Sequence, residues 1–184
     1  MRRRIVGTLA SAIVLACAAL LPAAAAANPY VYGHARFTVI TPECIRMEYS
    51  ANNRFIDAQS MFAVDRDKFS TTTTEQEIGN SHVLDTGRMR LVYTPNGNPF
   101  SDTNLKVEIT GGGRTITWTP ANKQTQNLGG TIKTLDQVKG PVPLDEGILS
   151  RDGWYLLDDS KGHLLTTDWV QVRPPDAGSD FYLF

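Results

Sequence analysis

An all-β fold, two antiparallel sheets packed as a β-sandwich, is what this 184-residue sequence predicts, and three observations predict it. Apolar residues recur at every second position in segment after segment, the period of a half-buried strand. Turn-forming residues separate these segments at short intervals. No stretch sustains a 3.6-residue period long enough for a substantial helix, once the N-terminal apolar run is set aside. A chain of this length forms two packed sheets around one core.

The elements follow in order. "ARFTVIT" opens the series, and "CIRMEYS" places Ile45, Met47 and Tyr49 on one face against Arg46 and Glu48 on the other. "KFSTTTTEQEI" and "SHVLDTG" are the next two strands. "RMRLVYT" sets Met89, Leu91 and Tyr93 against Arg88 and Arg90. "NLKVEIT", with Leu105, Val107 and Ile109 in phase, runs into Gly111-Gly112-Gly113 and then "RTITWTP", which reads as a hairpin. "GILSRDGWYLL" and "HLLTTDWVQV" complete the strands. Pro42, Asn52-Asn53, Asn96-Gly97 and Lys161-Gly162 supply turns between them. The apolar residues named in these strands are expected to face inward, and no internal repeat is visible.

The first residues set the compartment. Arg2 to Arg4, an apolar run from Ile5 to Leu21, a break at Pro22 and an alanine-rich stretch have the layout of a secretory signal peptide. Ala25 and Ala27 fit cleavage after Ala27, so residues 1–27 are read as the signal and 28–184 as one secreted or periplasmic domain. A membrane anchor fits less well, since the run is at the short limit of about 20 residues for a span and no basic stop follows. A lipobox, "VLAC" ending at Cys17, is also disfavoured because apolar sequence continues beyond it. Removing the leader leaves Cys44 as the sole cysteine, so no intrachain disulfide forms. A formal net charge of −1 gives no basis for a nucleic-acid or membrane-surface partner.

Motifs for chemistry are sparse. His34, His82 and His163 are far apart and in no metal-ligand spacing. No G-x-S-x-G elbow occurs, and "GGGR" lacks the strand-turn-helix context of a phosphate cradle. Asp158-Asp159-Ser160-Lys161-Gly162 has the composition of a hairpin turn, so its acids are read as turn residues. No metal and no cofactor is indicated.

The segments "ARFTVITPECIRMEYS", "RFIDAQSMFAVDR", "LDTGRMRLVYT", "NLGGTIKTLDQVKGPVPLDEGILSRDGWYLLDDS" and "SDFYLF" together resemble the N-terminal β-sandwich of glycoside hydrolase family 31, the α-glucosidases and α-xylosidases. The likeness runs through nearly all of 28–184 and is most specific in "NLGGT", "LSRDGW" and "DDS". It implies a galactose-mutarotase-like sandwich that packs on a (β/α)₈ barrel, with an α-linked oligosaccharide or glycoside as substrate and no cofactor. The family's nucleophile and acid/base are barrel aspartates, and the chain stops at "FYLF" before any residue matching either motif. No catalytic residue is therefore assigned, and hydrolysis by this chain alone is not expected. In the family a sandwich loop reaches over the barrel mouth. By position that loop is 131–147, and the resemblance makes Asp136, Asp145 and Glu146 the candidates for sugar-hydroxyl contacts, a task suited to carboxylates, which accept several hydrogen bonds each.

Two other readings stay open: a free-standing carbohydrate-binding module, which needs an exposed aromatic among Trp118, Trp154, Tyr155 and Trp169, or a structural domain with no sugar site. The terminal Phe181, Tyr182, Leu183 and Phe184 are either an exposed apolar cluster where a barrel would dock or a final, buried strand.

Overall fold

The computed structural model describes residues 29–68, 71–130 and 136–184; the expected leader, 1–27, lies outside the described residues. Among these residues twelve strands follow in order: β1 (Tyr30–Tyr32), β2 (Ala35–Thr41), β3 (Cys44–Tyr49), β4 (Thr74–Ile78), β5 (Ser81–Asp85), β6 (Met89–Tyr93), β7 (Leu105–Gly111), β8 (Arg114–Trp118), β9 (Leu156–Asp158), β10 (Leu164–Leu165), β11 (Val170–Gln171) and β12 (Ser179–Leu183). One five-stranded sheet runs β1-β2-β3-β12-β9 and the other runs β4-β5-β6-β7-β8 as a continuous meander; β10 and β11 make a separate ribbon. All pairings between them are antiparallel. The only helical element described is one 3-10 turn, Arg66–Lys68.

The two sheets pack face to face over a single core. Ile45, Met47, Tyr49, Met89, Leu91, Tyr93, Leu105 and Val107 are buried, as the alternation predicts, and Ile109 packs half-buried against them. Burying each such side chain contributes about 1.5–3 kcal/mol. Phe37 of the first sheet crosses to Tyr93 of the second with ring centroids 5.2 Å apart, and Phe100 closes on both. The β7–β8 hairpin forms at Gly112-Gly113 with Ile109 opposite Ile116, as expected.

Several expectations need correction. The strand expected to start at Lys68 begins only at Thr74; Lys68 ends the 3-10 turn, and residues 69–70 lie outside the described residues. "GILSRDGWYLL" is not one strand: within it only an isolated bridge at Ser150 and the start of β9 at Leu156 are assigned. Asp152 draws the chain into a turn there, and Gly153 at φ +84° takes a backbone conformation other residues avoid. "HLLTTDWVQV" is a hairpin, because Thr166 bonds Trp169 through backbone and hydroxyl and folds the segment back on itself. The terminal apolar residues do not form an exposed cluster. β12 is inserted between β3 and β9, with Tyr182 and Leu183 buried and Phe181 partly so.

The largest departure concerns β3, which is buried on both faces. Period-two reasoning puts Arg46 and Glu48 on an open face; instead they lie in a layer of ion pairs. Arg36 meets Glu48 through two bonds of 2.7 and 2.9 Å, and Arg46 meets Asp180 through two of 2.8 and 2.7 Å. Arg173 bridges Asp159 at 2.8 Å and Asp180 at 2.9 Å. Residues 55–66 cover this layer: both Arg36 and Arg46 donate to the Ile56 carbonyl, Phe55 lies under Arg36, and Phe62 packs on Tyr182. Asp159, read as a turn residue, belongs to this layer; Asp158 does serve the turn, accepting from Ser160 N.

Asp180→Ala should lower the unfolding free energy by about 3–5 kcal/mol, since it removes a buried carboxylate shared by two buried guanidinium groups, Arg46 and Arg173. Arg54→Ala, which breaks only the exposed pair with Asp176, should cost about 0–1 kcal/mol. Urea denaturation of the two variants beside the parent checks the contrast.

Candidate functional site

Residues 124–130 and 145–153, which include most of "NLGGT" and "LSRDGW", are distant in sequence and adjacent in space. Leu128 N donates to Leu149 O, Arg151 N to Gln126 O, and Gly130 N to Asp145 O, which makes a two-sided stem. Asn127 locks it. Its Oδ1 accepts from Gly129 N at 2.8 Å and Gly147 N at 2.9 Å, while its Nδ2 donates to Gly147 O at 2.7 Å and to Gln124 Oε1 at 2.9 Å. A Cβ at Gly147 would clash with the Gly129 carbonyl oxygen, so the close approach of the two sides requires glycine there.

Asp152 fixes the base of the stem. It accepts from Gln126 N, Thr125 N, Thr125 Oγ1 and Ser150 Oγ at 2.8–3.0 Å. The backbone donors from Gln126 and Thr125 are the main reason its carboxyl is held down at about 2. Gln124 Nε2 donates to Trp154 O, Trp154 stacks edge-on against buried Trp118, and Tyr155 exchanges backbone hydrogen bonds with Phe184. The stem is thereby fastened to both sheets. Its apolar side chains face outward: Leu128, Leu144, Ile148 and Leu149 are each 50–66% exposed.

The three acids expected to contact sugar are all exposed. Asp145 and Glu146 stand next to each other where the stem closes, Asp145 through its carbonyl bond to Gly130. Glu146 also adds to the rise of the Tyr155 phenol, which is due mainly to burial. Asp136 lies in a separate turn with Gln137 at φ +65°. Residues 131–135 of the expected loop lie outside the described residues. Of the four candidate platform aromatics, Trp118 is buried, Trp154 and Tyr155 are half-buried, and Trp169 is 80% exposed.

Other groups have evident structural duties. The two carboxylates that sequence reasoning did not bring together, Asp159 and Asp180, share one Arg173 nitrogen. Both are buried behind arginines, which suits an ion-pair layer and leaves no room for a sugar. Burial pushes the Cys44 thiol up to about 11, away from thiolate chemistry. His82 stacks on Tyr32 at 3.8 Å, and His34 pairs with Asn53. Among the described residues no group of three His, Cys, Asp or Glu could hold a metal ion. No protein-family model matches the chain, and no curated protein matches it.

Asp152 generates a pH prediction. Its folded pKa lies below the value of about 3.9 for an unperturbed aspartate, so it stabilises the fold above about pH 4, and that contribution fades as pH falls toward 2. Asp152→Asn should therefore shift the urea midpoint downward by a constant amount at neutral pH, and the gap from the parent should close between about pH 4 and 2.

Proposed function

We propose that the chain is the N-terminal sandwich of a family 31-type retaining α-glycosidase, of galactose-mutarotase-like fold, which packs on a catalytic barrel and shapes its sugar subsites. The observation that supports this most is the inside-out character of the stem. A merely solvated loop leaves its polar side chains to water; here Asn127, Gln124 and Asp152 are spent on holding the stem's own backbone, and leucine and isoleucine are the side chains left exposed. Such a rigid element with apolar side chains outside suits contact with another domain. It would also carry Asp145 and Glu146 to the rim of that contact, where carboxylates can accept hydrogen bonds from sugar hydroxyls.

The decisive test is to read the coding frame beyond the Phe184 codon and then assay the product. The reading requires a barrel with two catalytic aspartates in that frame; its absence would end it. In the resulting enzyme, Asp136→Ala or Asp145→Ala should raise KM several-fold, roughly 3- to 10-fold, and leave kcat within about twofold, because these groups bind and do not react. Ile148→Asp with Leu149→Asp should loosen the barrel contact and lower the thermal midpoint of the whole enzyme. Purified residues 28–184 alone should not turn over aryl α-glucoside or α-xyloside, since no acid and nucleophile pair is assigned to them.

A free-standing carbohydrate-binding module is the second reading, and the exposure of Trp169 favours it. Glycan binding by the isolated chain that Trp169→Ala abolishes would support the module.

A further inference from the structure

The geometry points to a second, independent site: a cleft at the far end of the first sheet that takes a neutral polyhydroxylated ligand the size of a mono- or disaccharide. β12 runs from Ser179 to Leu183. The stem is fastened at its Phe184 end, through Tyr155, whereas the cleft opens at its Ser179 end, so the two are separated by the length of the strand. The cleft has a volume of about 410 Å³, within the range of small-molecule sites.

Its walls are apolar and ring-shaped: Tyr49, Pro99 and Pro175. Tyr49 is held in place because its hydroxyl donates to Gly97 O at 2.8 Å, and its ring meets Phe100 edge-on. The polar groups are Asn52, Asp176 and Ser179. Asp176 is oriented through one oxygen only: Oδ2 accepts from Arg54 NH1 at 2.8 Å and from Asn52 Nδ2 at 3.0 Å. Its Oδ1 is left as an acceptor on a carboxylate already aimed by two donors, and the second hydrogen of the Asn52 amide is likewise left over.

These features select the ligand. Arg54 pairs with Asp176 and offsets its charge at the solvent-exposed rim, so the cleft presents no net charge to attract a cation or an anion. An extended peptide would need a free strand edge, and here Ser179 is already paired with Tyr49. What fits is a ring with an apolar C–H face against proline and tyrosine and hydroxyls that donate to Asp176 and Ser179 and accept from Asn52.

The test is amide chemical-shift mapping on the purified chain titrated with glucose, xylose and maltose to about 50 mM, because a ligand of this size gains millimolar affinity at best. At least one sugar should shift amides within 50–52 and 176–179. Asp176→Ala, which retains the dispersed spectrum of the folded chain, should weaken that binding about tenfold or more, and Ser179→Ala should weaken it several-fold. No shift with any of the three sugars, shifts confined to 136–146 or to Trp169, or binding unchanged in Asp176→Ala would each overturn the site. The glycosidase reading rests on the stem and survives any of these results.

Discussion

The ion-pair layer of the first sheet is the constraint on which the rest depends. Arg36, Arg46 and Arg173 face Glu48, Asp159 and Asp180 with their side chains almost wholly withdrawn from water, so the layer is neutral as a set and costly to break at any one member. Asp180 stands directly opposite Glu48 in the β3–β12 register, an arrangement that repels by itself. Arg46, two pairs along and reaching diagonally to Asp180, and Arg36, directly opposite Glu48 on the other side, remove that repulsion. The result is a register device. A slip of two residues would keep every apolar side chain on its own face and would still break the charge pattern.

From that layer the surrounding loops take their places. Residues 55–66 are drawn over it by the Ile56 carbonyl and by Arg66, which donates to the Ala58 carbonyl and the Tyr182 hydroxyl. The segment that follows β9 is drawn in by Arg173, which also holds the Gly162 carbonyl. The molecule thus uses its conspicuous acids in two ways. Asp152, Asp159 and Asp180 build the fold; Asp136, Asp145 and Glu146 are exposed.

Much of the fold was legible because a half-buried strand writes its period into the chain. β2, β3 and β5 to β8 lie where the alternation puts them, with the expected residues inside. Legibility failed where tertiary partners override the local pattern. Nothing near Arg46 announces Asp180, 134 positions away, so a strand buried by charges on its second face looks the same as one facing solvent. The irregular path of 147–155 was hidden for a related reason: "GILSRDGWYLL" alternates acceptably, but Asp152 finds its donors at Thr125 and Gln126. Of the candidate site, Asp145 and Glu146 were named from the position of their loop alone, while the stem, its outward leucines and the Asp176 cleft depend on three-dimensional closure.

The insertion of β12 between β3 and β9 has a consequence for biosynthesis. When β1, β2 and β3 first leave the ribosome, Arg46 and Glu48 have only part of their final partners, and the slot beside β3 stays empty until more than a hundred further residues have been made. The first sheet therefore cannot close vectorially. Pairings of such long sequence separation are slow to form, because loop closure precedes any gain from contact. Until Asp180 arrives, the nascent chain has every reason to leave the first sheet open.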